Sequence, residues 1–195
     1  MYNINQEDEV IIFRNVEMKY DDRVLFLLNL NIKTGKNYVV TGNSGTGKTT
    51  LIRLFAGLEK PTDFEQFEIS TDKISLMFQE NRLFDDFDAV TNITATCKVT
   101  EKKAYEVLME LLDEKDLKRP VHEFSGGMKR RVALVRAFLA DSDLVLLDEP
   151  FAGLDLENIE CAVSFIKKYL NNRTLVIAAH DAENLSFCEE ISLDE

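Results

Sequence analysis

The most constraining feature of this sequence is the stretch from Gly42 to Thr49, which reads GNSGTGKT and matches the pattern G-x-x-x-x-G-K-[ST] at every fixed position. The apolar run Tyr38–Val40 precedes it, and the largely apolar run 51–57 follows it. This order predicts a strand, a glycine-rich loop and a helix. Glycines allow positive φ, so that successive N–H groups and the helix N-terminus can face one anion. The stretch therefore predicts a phosphate-binding loop, and a plain turn between two buried elements is the weaker interpretation.

Four side chains have the chemistry that a nucleoside triphosphate and Mg²⁺ require. Lys48 can reach the β- and γ-phosphates, and Thr49 can offer its hydroxyl to the metal. Asp148 and Glu149 end the apolar run 144–147, and ligands collect at the carboxyl ends of parallel strands. An acidic pair after a strand is usually only a turn. With a phosphate loop in the same chain, we expect Asp148 to hold Mg²⁺, directly or through water, and Glu149 to orient or deprotonate the attacking water.

Charge limits the partners of this chain. Its 195 residues carry a formal net charge of −12, and an acidic surface does not attract a phosphate backbone, so no nucleic-acid partner is expected. The basic cluster Lys129–Arg131 is the exception. On a helix its three side chains point in different directions, which favours a solvated face or a contact with a partner.

The chain is expected to be cytoplasmic. Residues 1–8 lack the apolar core of a signal peptide, and no run approaches the roughly 20 apolar residues that a membrane crossing needs. Cys97, Cys161 and Cys188 are far apart and lack metal-ligand spacing, which is typical of a reduced compartment. Any membrane role is therefore expected to come from a partner.

The hydrophobic pattern predicts an α/β fold of the P-loop NTPase type. Residues 9–34 alternate between apolar and polar, as antiparallel sheet does, whereas the runs 144–147 and 175–179 are continuously apolar, as buried parallel strands are. The charged segment 80–123 has helical spacing after Thr100. We expect one domain over residues 1–195, with a mostly parallel core sheet, an antiparallel β subdomain and a small inserted helical subdomain at about 80–123.

A second glycine-rich feature, Ser125-Gly126-Gly127, begins a predicted helix that ends near Ala140. If this stretch were only a capped helix start, Ser125 would be sufficient and the two glycines would not be needed. Two adjacent glycines destabilise a helix by about 1 kcal/mol each, which favours a close approach of this backbone to another group. Bare N–H groups, a hydroxyl and the helix dipole make the stretch a second candidate anion site.

The order of these motifs resembles the ATP-binding cassette (ABC) transporter ATPases over essentially the whole chain. After the phosphate loop and the Ser-Gly-Gly helix come Leu-Leu-Asp-Glu-Pro, Ala-Gly-Leu-Asp, and a strand that ends in His180-Asp181. Each motif alone is moderately specific, and the ordered set is highly specific. The resemblance implies an enzyme that hydrolyses ATP with Mg²⁺.

The resemblance also implies roles for individual residues. Catalytic roles fall to Glu149, His180 and Gln79, and the metal ligands are Thr49, Gln79 and Asp148. The nucleotide contacts are Tyr20, Gly42, Asn43, Ser44, Gly45, Thr46, Gly47, Lys48, Thr49, Thr50, Ser125, Gly126, Gly127 and Asp155. Tyr20 is expected to stack on adenine, His180 and Gln79 to lie at the γ-phosphate, and Asp155 to contact a second subunit. From the residues alone, Tyr20 could instead cover a sheet edge, Gln79 could be a polar strand end, and His180 could be structural.

Family resemblance further implies a dimer of two ATPase subunits, either two copies of this chain or a pair with a second ABC ATPase. Each Ser-Gly-Gly helix would close the other subunit's phosphate loop, and closure would drive integral-membrane permease subunits from the inner face of the cell membrane. Met128 and the stretch 79–84 resemble the nitrate, taurine and sulfonate importers. The chain ends soon after His180, so no C-terminal regulatory domain is expected.

Three questions stay open at this point. A non-transport ABC ATPase acting on nucleic acid or the ribosome would share the same motifs, and so would a scaffold that binds ATP without hydrolysis. The residues Leu83, Phe84 and Phe87 either receive a permease helix or form the core of the helical insert. The transported substrate is the third question, because the resemblance implies that the permease and any external binding protein choose the cargo.

Overall fold

The computed structural model describes residues 9–21 and 23–194, which form two β-sheets and the helices around them. The strands are β1 (Glu9–Tyr20), β2 (Arg23–Lys33), β3 (Asn37–Thr41), β4 (Gln66–Ile69), β5 (Ile74–Met77), β6 (Leu144–Asp148), β7 (Thr174–Ala178) and β8 (Glu189–Ser192). The α-helices are α1 (Lys48–Phe55), α2 (Ala89–Thr94), α3 (Glu101–Leu108), α4 (Gly126–Leu139) and α5 (Leu156–Tyr169).

The larger sheet has five parallel strands in the order β5-β6-β7-β3-β8. Every residue of β6 and β7 is buried, because helices or the second sheet cover both faces. Alternate residues of β6 face opposite sides: Leu144 and Leu146 join the cluster around α1, whereas Val145 and Leu147 join the cluster around α2 to α5. The predicted parallel core sheet is confirmed.

The smaller sheet is antiparallel, in the order β2-β1-β4. It packs on α1 through Phe13, which is fully buried and whose ring centroid lies 5.4 Å from that of Phe55 and 4.7 Å from that of Phe67. This contact holds the sheet against the helix that follows the phosphate loop. The predicted antiparallel subdomain is therefore present as a separate sheet.

Helices α2 and α3 lie between β5 and α4, together with two short 3₁₀ helices, Glu114–Asp116 and Val121–Glu123. The Thr100 hydroxyl accepts a hydrogen bond from the Lys103 N–H at 3.2 Å and so caps α3, as the sequence predicts. None of the helices over residues 9–21 and 23–194 combines the length and the apolar character that a membrane span needs.

Candidate active site

The phosphate loop connects the carboxyl end of β3 to the N-terminus of α1, where Gly47 has φ 102° and occupies the N-cap position. A Cβ atom at Gly47 would lie 2.9 Å from the Phe26 ring. Both the positive φ and the close approach of the ring require glycine at this position. The loop therefore has the tight backbone path that the sequence predicts, with the free N–H groups of α1 at its end.

Lys48 is the first residue of α1, and only 6% of it is exposed. Its ammonium group donates hydrogen bonds to the backbone oxygen of Gly42 at 2.5 Å and to that of Asn43 at 3.1 Å. The same nitrogen lies 4.0 Å from Oε1 of Glu149. The cation therefore lies between the phosphate loop and the acidic pair that ends β6.

Thr49 and Asp148 form the candidate metal site. The Thr49 hydroxyl donates to Oδ1 of Asp148 at 3.2 Å, which brings together two oxygen ligands of the kind that Mg²⁺ prefers. Burial raises the pKa of Asp148, against the opposing effects of the Thr49 hydrogen bond and the nearby Arg130. The pair fits Mg²⁺ chemically, because this metal usually takes one or two protein ligands and completes its shell with phosphate oxygens and water.

Glu149 and His180 lie at the mouth of the same site. Oε1 of Glu149 is 3.6 Å from Nε2 of His180, whose side chain is 64% exposed. Burial raises the pKa of Glu149, while His180 and then Lys48 act in the opposite direction. A carboxylate with a raised pKa is a stronger base, and Glu149 is therefore chemically suited to accept a proton from water.

Lys48, Thr49, Glu149 and His180 all line one cleft of about 380 Å³. It is lined by Leu25, Ser44, Gly45, Gly47, Lys48, Thr49, Thr50, Gln79, Glu149 and His180. Tyr20 is 48% exposed at the end of β1 and is not among the lining residues in the described part of the chain. The structure thus brings residues 44, 45 and 47–50 of the loop together with Gln79, Glu149 and His180 in one cleft, which Tyr20 does not line.

The Ser-Gly-Gly helix tip opens into a second cleft of about 450 Å³. The Ser125 hydroxyl accepts from the Met128 N–H at 3.2 Å and caps α4, as predicted. A Cβ at Gly127 would lie 3.1 Å from Cδ2 of Leu154, whereas the space beside Gly126 is open. Gln79 lines both clefts, and Ser125 lines only the second.

Asp155 also lines the second cleft and is the N-cap of α5. Its carboxylate accepts from the backbone N–H of Asn158 at 2.9 Å and from the side-chain amide of the same residue at 2.8 Å. These hydrogen bonds lower the pKa of Asp155. The carboxylate is therefore held in a fixed position in the lining of the cleft that Ser125 and Gly127 also line.

The expectation for the basic cluster is wrong at Arg130. Only 3% of this residue is exposed, and its guanidinium donates to backbone carbonyls at the ends of β5 and β6. Lys129 pairs with Asp85 at 3.1 Å, and Arg131 donates to the side chain of Asn158. The spacing of Arg130 with the apolar positions three, four and seven residues later on α4 was the available signal that it lies on the buried face.

Residues 25–152 match the protein family described as "ABC transporter". The intermembrane phospholipid transport system ATP-binding protein MlaF of Haemophilus influenzae is 33% identical, over 90% of this chain and 76% of its own length. The aliphatic sulfonates import ATP-binding protein SsuB 1 of Agrobacterium fabrum is 35% identical, over 87% of this chain and 64% of its own length.

A solved structure shows the same architecture. The ATP-binding cassette MJ0796, in a dimeric post-hydrolysis state bound to ADP and Pi, has a TM-score of 0.80 and 27% sequence identity. The match covers 94% of each chain. A second structure, of the MJ0796 bacterial ABC transporter cassette as a dimer, has a TM-score of 0.82.

Proposed function

This chain belongs to the ABC transporter ATPases, which bind and hydrolyse ATP, and from that premise we propose that two such subunits close around ATP to drive a separate permease. The observation that carries the proposal is the separation of the two clefts. The phosphate loop with Lys48 lines one cleft and Ser125 lines the other, so one chain does not bring its own helix tip to its own loop. A second subunit, arranged head to tail, supplies the missing half.

In this proposal the phosphate loop binds the β- and γ-phosphates. The backbone N–H groups of residues 44, 45 and 47–50 and the ammonium of Lys48 bind the anion, and the dipole of α1 adds to their attraction. The N–H of Asn43 is not among them, because it donates to Asp194. Thr49, Asp148 and Gln79 hold Mg²⁺, which neutralises charge on the phosphate oxygens when it is bound. The observed hydrogen bond between Thr49 and Asp148 supports this assignment.

Glu149 orients the attacking water and accepts its proton, and His180 contacts the γ-phosphate beside it. Ser125 and Gly126 of the second subunit then donate to the γ-phosphate from the opposite side, which places fixed donors where charge develops. Asp155, held by Asn158, contacts the second subunit. Tyr20 stacks on adenine, an assignment that rests on the family resemblance.

The surface after Gln79 is proposed to receive the permease. Phe84 and Phe87 are 49% and 54% exposed, with ring centroids 6.3 Å apart. Leu83 is instead partly buried and packs on the hydrophobic cluster around α2 to α5. Exposure of two neighbouring aromatic rings supports an interaction surface rather than a buried insert core. The subunit then acts in the cytoplasm, peripherally on the inner face of the cell membrane.

We further propose that the transporter is an importer. The resemblance of Met128 and residues 79–84 to the nitrate, taurine and sulfonate importers supports this, as does the similarity to the aliphatic sulfonates import protein. The similarity to MlaF, described as an intermembrane phospholipid transport protein, makes the direction a question for a transport assay with the native permease. Uptake of cargo into sealed vesicles or cells supports the proposal, and export contradicts it.

A mixing experiment tests the shared site. Lys48→Ala disables the phosphate loop and leaves the helix tip intact, whereas Ser125→Arg blocks the tip and leaves the loop intact. Each variant alone is expected to lose most ATP hydrolysis, and the mixture is expected to recover activity above the sum of the two, because a mixed dimer contains one complete site. A mixture no more active than the separate variants contradicts a site shared between subunits. A mixture of Lys48→Ala with Lys48→Ala/Ser125→Arg is the matched control, since it can form no complete site.

A further inference from the structure

Arg130 is a buried arginine of α4 whose guanidinium is surrounded by backbone carbonyls. Nη1 donates to the oxygen of Phe78 at 2.9 Å and to that of Gln79 at 2.7 Å. Nη2 donates to the carbonyl oxygens of Asp148 and Glu149. One side chain, 3% exposed, thus binds four main-chain acceptors on two separate segments.

These four acceptors lie immediately beyond the end of a strand pair. Strands β5 and β6 are parallel neighbours, and their last paired residues are Met77 and Leu147. The next two residues along the chain are Phe78 and Gln79 after Met77, and Asp148 and Glu149 after Leu147. Arg130 binds the carbonyl oxygens of these four residues. The guanidinium therefore joins β5 and β6 at the point where their own hydrogen bonds end.

The backbone of Glu149 needs such support. Its φ is 52°, in the left-handed region that is unfavourable for a residue with a side chain. A residue in that region persists only where its surroundings fix it. Here the Glu149 N–H donates to the oxygen of Ala178 at 2.9 Å, and Arg130 binds the carbonyl on the other side of the same residue.

We propose that Arg130 is a positioning residue for ATP hydrolysis, which sets the carboxylate of Glu149 relative to the side chain of Gln79. The inference rests on the roles proposed above for those two residues. Arginine suits this task because its planar group has five N–H donors in a fixed arrangement, whereas lysine has three on a single nitrogen. The alignment matters because a displacement of about 1 Å caused by a change outside the chemistry can slow an enzyme on the order of 100-fold.

Arg136 provides a matched control. It lies on the same helix and also donates to backbone carbonyls, those of Arg82 at 2.7 Å and Asn81 at 2.9 Å. Both acceptors follow Gln79, and neither belongs to β6. Arg136→Met therefore removes similar hydrogen bonds from the same helix without changing the support of Glu149.

The first experiment compares steady-state ATP hydrolysis of Arg130→Met, Arg130→Lys and Arg136→Met, with thermal unfolding of each. We expect kcat of both Arg130 variants to fall by about 10- to 100-fold, with KM for ATP changed by less than about threefold, because phosphate binding is intact. Arg136→Met is expected to stay within about threefold of the parent. Arg130→Lys keeps a buried cation. If Arg130→Met does not fold, the kcat of Arg130→Lys therefore decides the test. A fall in kcat of less than about tenfold in the folded Arg130 variants overturns the proposal.

The second experiment separates positioning from general damage. In a Glu149→Gln background there is no basic carboxylate to align, so Arg130→Lys is expected to slow single-turnover hydrolysis by less than about threefold there. An equal fall in both backgrounds overturns the proposal, because it shows that the effect does not act through Glu149. Failure of Glu149→Gln itself to slow hydrolysis instead overturns the role proposed for Glu149, so the two failures are distinguishable.

Discussion

Individual residues in this protein depend on backbone conformations that few side chains can adopt. Gly47 combines φ 102° with contact to the Phe26 ring, and Glu149 holds φ 52° at the end of β6. Both lie at the proposed ATP site. Strain of this kind is typical of positions where a scaffold holds a reactive group in place. At Gly47 the scaffold is the tight phosphate loop, and at Glu149 it is the end of the buried strand β6.

The first prediction concerns the phosphate-loop glycine. Gly47→Ala is expected to reduce the free energy of unfolding by about 1–3 kcal/mol, because the new Cβ is placed both in a strained conformation and against Phe26. At this chain length that corresponds to a fall in Tm of roughly 2–12 °C. Gly126→Ala is the control, since open space surrounds that position and alanine favours a helix. Equal Tm values for the two variants would show that Gly47 is not conformationally required.

At the scale of elements, the terminal strand β8 supports the phosphate loop. Asp194, two residues beyond β8, accepts from the backbone N–H of Asn43 at 2.9 Å and from its side-chain amide at 3.1 Å. The strand also pairs with β3, from which the loop emerges. The last described residues of the chain therefore hold the first residues of the loop.

The second prediction tests this support. Asp194→Ala is expected to reduce the free energy of unfolding by about 1–2 kcal/mol, since two hydrogen bonds to Asn43 are lost. Asp194→Asn keeps an acceptor oxygen and is expected to lose about half as much. Glu189→Ala, at an exposed position on β8, serves as the control in the same denaturant titration. A loss for Glu189→Ala as large as that for Asp194→Ala would show that the effect belongs to the strand and not to the loop contact.

The sequence predicts the buried strands correctly, but it does not predict every strand or the contacts that the elements make with one another. The motif at 42–49 and the continuously apolar runs 144–147 and 175–179 led to the correct parallel core, because burial on both faces leaves a strong signal. Strand β8 was not predicted, since three of its four residues are exposed and it has no apolar run. For Arg130, the spacing with apolar positions of α4 indicates the buried face of the helix. It does not give the carbonyls at the ends of the two distant strands that satisfy a buried guanidinium, and without those acceptors an arginine is expected at a solvated face or a partner contact.

In the proposed dimer of the whole molecule, each of the two clefts forms half of an ATP site. Lys48 and Ser125 line different clefts, and a γ-phosphate needs donors on both sides for the charge that develops during hydrolysis. The family resemblance predicted this division, and the chain's own geometry is compatible with it. The proposed closure driven by ATP would be a two-state change, because only the closed state contacts both faces of the nucleotide.

The mass of Glu149→Gln, measured by size-exclusion chromatography with light scattering, shows directly whether two subunits share the ATP site. With hydrolysis slowed, we expect a stable dimer in saturating Mg-ATP and a monomer without nucleotide, because ATP is the main contact between the two half-sites. Lys48→Ala/Glu149→Gln is the matched control and is expected to remain monomeric, since its loop no longer binds the phosphates. A Glu149→Gln protein that stays monomeric in saturating Mg-ATP would contradict the shared-site mechanism.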